Sequence, residues 1–333
     1  MVLVFCAALL SLPAIWLAFS GPGPVRFESD ARIERSLPGA PRAETGAAMP
    51  ATVIARRPVA DPDLVEPSPF GPLPRVAAHG QRPFFAYASP FDFDDSRPKV
   101  AILVLGLGLQ ERATEAALAL PAGISLQFSP YAPDLDRDVT RARRSGHEVL
   151  LALPMEPPEY PLSDPGPHTL LASAGSAGNL DRLHWVLSRT RAYVGVAGDG
   201  RRFAASDAAG PVVADLAARG LALVEVGSDS LTGEAQAAGM PYASAAAPID
   251  EDPSPLTIDH ALAELEAQAL ESGSALGVIS ALPVSMARLA VWIDSLQTKG
   301  LALAPLSALL IEGGGPAQIR GEGEGVAGEP GHG

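Results

Sequence analysis

The side chains of this 333-residue chain that could do chemistry are scattered singly along it and form no dense motif. Glu156 stands in a Pro-Met-Glu-Pro turn just after an apolar run, where a carboxylate can act as an acid or accept from a sugar hydroxyl. With His147 it can equally hold a proline-rich loop by hydrogen bonds. Asp164 and His168 bracket Asp-Pro-Gly-Pro-His. An Asp-His pair suits base catalysis, and the intervening Pro165, Gly166 and Pro167 suit a rigid turn held by its own side chains. Asp199 with Arg201 and Arg202 offers a small polar floor for an anionic or hydroxyl-rich ligand, or else a surface ion pair. Glu225 closes in on the end of the apolar run ALVEV and is the best remaining carboxylate for an active face. His184 and Trp185 fall inside a helical pattern, Trp185 as core or interface and His184 on the solvent side, and His260 falls in the first turn of another.

Several chemistries lack their signatures. The chain has no nucleophile elbow, no HExxH and no phosphate-binding loop, and GLGLQ at 106–110 lacks the third glycine and the ribose-binding acid of a dinucleotide site. A formal net charge of -14 leaves no basic footprint for nucleic acid, so none is expected as a partner. The one cysteine, Cys6, lies in an apolar run, so no intrachain disulfide can form.

The elements that must position these residues lie between 98 and 312. There short apolar runs alternate with amphipathic stretches, starting with VAILVL at 100–105, whose continuous apolarity suits a strand buried on both faces. Further strands are expected at 124–128, 148–153, 193–196, 222–226, 276–280 and 301–304. Helices are expected in most gaps, among them 258–272 with Thr257 as N-cap and 283–299 stopping at Gly300. Such alternation predicts an α/β fold, a seven- or eight-stranded (β/α) barrel with functional groups at the strand C-termini. Outside this region, 21–97 is proline-rich without an apolar period and is expected to be a disordered linker, with 83–93 able to pack on the domain. Residues 313–333 read as a Gly/Glu-rich tail. Residues 2–19 carry no charge, which suits a membrane anchor or signal segment over 1–20. Arg26, Arg32 and Arg35 follow that segment with no basic residue before it, against the positive-inside pattern, and a basic stretch upstream of Met1 is the expectation.

Five strings carry a resemblance. KVAILVLGLGL at 99–109, ISLQFSPYAP at 124–133, GHEVLLALPMEP at 146–157, YPLSDPGPHTLL at 160–171 and RAYVGVAGDGRRF at 191–203 resemble successive motifs of the divergent polysaccharide deacetylase family. The resemblance implies a distorted barrel similar to the NodB-type deacetylases, export, and a role in carbohydrate metabolism at the envelope. It also implies a divalent metal such as zinc, which would make a water nucleophilic and polarise the amide. The metal positions implied by the family are changed here. An acidic pair becomes Leu105 and Gly106, a histidine before Leu-Pro-Met becomes Ala152, the fourth-strand histidine is lost from a shortened loop at Asp199, and His-Pro-His becomes Ser280, Ala281 and Leu282. No zinc cluster can be assembled from those residue types.

The expectation is therefore a pseudoenzyme without cofactor, in the periplasm, either anchored in the inner membrane or secreted. Its expected partners are an envelope polysaccharide such as peptidoglycan, or an envelope protein, with the membrane held by the N-terminal segment. The alternative is an active carbohydrate deacetylase with a site rearranged around Glu156, Asp199 and Glu225.

Overall fold

The computed structural model describes residues 60–312, and ordered structure begins well before the barrel. A 3-10 turn (Pro62–Leu64) leads into an antiparallel hairpin of β1 (Val65–Ser68) and β2 (Gly71–Pro74), followed by a short helix, α1 (Pro83–Tyr87). The disordered linker expected over 21–97 is thus corrected for 60–82, while 83–87 packs on the domain as that stretch was expected to be able to; the linker's remainder before 60, the 1–20 segment and the 313–333 tail lie outside the described residues. Prolines misled here because they occupy positions that tolerate them. Pro62 and Pro83 open helical turns, and Pro67, Pro72 and Pro74 sit in an isolated two-stranded ribbon. Leu64, Phe84 and Tyr87 are buried against Leu150, Val194, Ala222, Leu306 and Leu310, and Leu73 is buried in the second core cluster. These anchors are too irregularly spaced to show a period.

The barrel follows. Its strands are β3 (Lys99–Leu107), β4 (Ser125–Phe128), β5 (Val149–Ala152), β6 (Gly195–Gly198), β7 (Ala222–Val226), β8 (Tyr242–Ala245), β9 (Ser274–Ser280) and β10 (Ala302–Leu303). All pairings are parallel, running β8-β7-β6-β5-β4-β3-β9, with β10 added beside the first residues of β3. Between β8 and β9 there is no ladder; the Ile249 N–H donates to the Val278 carbonyl at 2.8 Å and nearly closes the ring. The architecture is a distorted (β/α) barrel.

Helices α2 (Glu111–Leu118), α3 (Leu135–Ser145), α4 (Gly175–Leu187), α5 (Arg201–Ala204), α6 (Ala209–Ala218), α7 (Thr232–Ala238), α8 (Pro255–Ser272), α9 (Pro283–Leu296) and α10 (Leu306–Glu312) fill the connections. Period-2 alternation divides the core in two. Leu103, Leu150, Ala197, Val224, Val226, Ala245 and Val278 form the interior cluster, while Ile102, Val104, Leu126, Leu151, Val196 and Leu223 join the helices outside.

Two details differ from the sequence expectation. β8, Tyr-Ala-Ser-Ala, is a strand with no apolar run to announce it. α8 starts earlier than 258, capped by the Ser254 hydroxyl on the Thr257 N–H with Pro255 in the first turn, so Thr257 is inside the helix.

Candidate functional site

In a barrel of parallel strands the chemistry belongs where strand C-termini open into loops. Here β3 bulges between Val104 and Leu107, and Gly106 takes a φ of +76°, which a residue with a side chain rarely adopts. Its N–H donates to Gln127 Oε1 at 3.1 Å, and Gln127 Nε2 donates to the Ala197 carbonyl at 2.9 Å. Gln127 is buried and so spans from β3 across to β6, a role for which its one signal was a glutamine inside the apolar run ISLQF. Leu105 packs on the interior cluster.

At the other strand ends protein groups pack closely. A Cβ on Gly198 would lie 2.5 Å from the Leu153 carbonyl oxygen, and one on Gly200 2.0 Å from Met155 Cβ, so the β6 loop presses directly on the β5 loop. At β9 the Ser280 N–H donates to both oxygens of Asp250, at 2.9 and 3.0 Å, and the Ser285 hydroxyl donates to Oδ2 at 2.5 Å. Asp250, buried and absent from the sequence reading, is thereby consumed as a brace. Leu282 is exposed and fills nothing. Among the described residues no three His, Cys, Asp or Glu side chains are grouped to hold a metal ion, and Leu105, Gly106, Ala152 and Ser280 do not fit one.

The candidate residues are dispersed. Glu225 is corrected most sharply: its neighbours Val224 and Val226 face the interior, so Glu225 turns outward, fully buried. It accepts from the Ser228 hydroxyl, the Ser230 N–H at 3.2 Å, the Leu231 N–H at 2.9 Å and the Tyr242 hydroxyl at 2.7 Å. Burial and this carboxylate push the Tyr242 phenol well above its ordinary pKa. Glu156, also buried, accepts from the Ala172 N–H at 2.7 Å and pairs with Arg202 at 3.1 Å, tying the loop after β5 to α5. Arg202 therefore serves Glu156 and not an Asp199 floor.

Asp199 remains exposed at the end of β6 beside Arg201. Desolvation raises its pKa, the Arg201 charge opposes this, and the Glu159 and Glu225 carboxylates add to it. His147 precedes β5, at the opposite end of the barrel, with Nδ1 2.9 Å from the Ile124 carbonyl and Nε2 3.4 Å from that of Leu118; it is a buried structural residue. Its neighbour Glu148, missed in the sequence, is fully buried there too. It accepts from the Ser89 and Ser307 N–H groups at 2.8 and 3.0 Å and from the Ser125 and Ser307 hydroxyls. Burial outweighs these bonds and pushes its carboxyl pKa up.

Asp164 accepts from the Gly166 N–H at 2.9 Å, the self-held turn that was one of the two readings. His168 stacks on Trp185 with ring centroids 3.6 Å apart and planes 10° off parallel, and its backbone N–H donates to the Tyr131 hydroxyl at 3.1 Å. His184 is engaged by Asp215 at 3.1 Å.

Comparison with known proteins agrees with this architecture. The model of the family described as "Divergent polysaccharide deacetylase" matches residues 102–310. The uncharacterized protein YibQ of Escherichia coli (strain K12) is 39% identical over 59 residues, a match covering 18% of this chain and 18% of that relative. The crystal structure of the uncharacterized protein ATU2773 from Agrobacterium tumefaciens C58 superposes with a TM-score of 0.69 at 38% identity, over 72% of this chain and 99% of that one. The chain belongs to the divergent polysaccharide deacetylase family.

Proposed function

We propose that this chain is a non-catalytic member of its family that binds envelope glycan, with peptidoglycan strands as the ligand, from a periplasmic position set by its uncharged 2–19 segment. The observation that carries this reading is Gln127, which joins β3 to β6 where a deacetylase would need ligands for its metal. Glu225 is near enough to Asp199 to raise its pKa, but four donors already engage it, and Glu156 is held by Arg202, which supports a binding role over a catalytic site rearranged around the three. Asp199 and Arg201, exposed at the strand ends, offer complementary groups to sugar hydroxyls.

Pull-down on isolated sacculi tests the proposal. Wild type is expected to be retained and D199A/R201A to be retained at least tenfold less, with no acetate released from N-acetylglucosamine oligomers by either. Zinc-dependent acetate release would refute the non-catalytic reading, and capture of an envelope protein without glycan would replace the ligand.

A further inference from the structure

A cluster on the outer flank goes unused by that reading. The loop after β4, the loop after β5 and α4 bring together Tyr131, His168, Arg182, Trp185 and Arg189. Trp185 has His168 stacked at 3.6 Å, Tyr131 at 5.5 Å and the Arg189 guanidinium over its ring at 4.8 Å. The rings are held in place by packing. Gly166, at φ +133°, lets the loop lie flat on Tyr131, where a Cβ would come within 2.6 Å of the ring.

Two arginines without a carboxylate partner stand beside this stack. Arg97, Arg137, Arg141, Arg202, Arg219 and Arg288 all have carboxylate partners. Among the described residues Arg182 and Arg189 have none: Arg182 donates to the Gly178 carbonyl at 3.3 Å and its buried Nε bonds to nothing, while Arg189 Nε reaches only the Pro130 carbonyl at 3.4 Å. Both charges bear on His168 and, after partial burial, help hold its imidazole pKa below the ordinary value. The one carboxylate in the same loop, Asp164, is turned into its own bend. What sets Arg182 and Arg189 apart from other arginines without an ion pair is their place together beside a partly exposed aromatic stack.

We infer that this surface is a subsite for an anionic saccharide, the two arginines, held in place by the packed His168, Trp185 and Tyr131 rings, taking its carboxylate or phosphate. The inference rests on the proposal that the chain binds glycan, and deepens it by naming the charge of the sugar.

Calorimetric titration of the full chain with oligogalacturonate, with a phosphorylated malto-oligosaccharide and with neutral N-acetylglucosamine oligomers tests it. Binding of an acidic saccharide is expected, weakened at least tenfold in R182Q/R189Q, while the neutral oligomer binds both proteins alike. The tighter of the two acidic probes assigns carboxylate or phosphate. Acidic binding that is absent in wild type, or unchanged in the variant, overturns the subsite. If the neutral oligomer loses affinity equally, selectivity for charge is overturned. Sacculus retention of wild type separates the two claims: retained protein with no acidic binding sinks the subsite alone, and unretained protein sinks the glycan reading.

Discussion

At the scale of single residues, the stability of this barrel rests on buried polar groups that accept or bridge. Gln127 satisfies the Gly106 N–H and the Ala197 carbonyl at once. Q127L leaves both without a partner in the interior and is expected to cost about 1–3 kcal/mol in urea unfolding. Glu148 gives a pH signature. Its pKa is raised in the folded state, so with rising pH the unfolded chain ionises first and the wild type loses stability above the ordinary carboxylate range. E148Q has no such slope, and its deficit against wild type should shrink as melting temperature is followed from acid to neutral pH; a widening deficit would contradict the burial argument. Neither residue was visible as important in sequence. Glu148 sits in GHEVLL and Gln127 in ISLQF as lone polar residues in apolar runs, and only the fold shows that both turn inward. Glu225 misled for the same reason, since which face a strand residue takes depends on register and not on its type.

At the scale of elements, the apolar strands and the long helices were readable because burial on both faces and helical spacing leave a periodic trace. α9 runs from Pro283 to Leu296 with Met286, Leu289 and Leu296 buried, and Gly300 follows with φ +74°. β8 and the 60–97 segment left no such trace: β8 is partly exposed, and the strap is anchored by isolated side chains between prolines. The strap is nevertheless part of the core, and F84A is expected to cost about 3–5 kcal/mol in urea unfolding. The loop after β4 also packs without slack. A Cβ on Gly108, whose φ is +92°, would lie 2.6 Å from Ala132 Cβ, so G108A should destabilise by about 1–3 kcal/mol.

At the scale of the whole molecule, the barrel was legible and its use was less so. Alternating strands and helices, with the strings from KVAILVLGLGL to RAYVGVAGDGRRF, point to the fold in the sequence itself. The candidate site was legible only in its losses, because Leu105, Gly106 and Ala152 announce what they cannot do, whereas the Tyr131, His168 and Trp185 stack joins segments far apart in the chain. The central proposal is that the strand ends hold no metal. Zinc quantified by mass spectrometry in protein equilibrated with zinc and then gel-filtered tests it most directly. The account predicts far less than one equivalent, unchanged in D199A; one bound equivalent that D199A abolishes would contradict it.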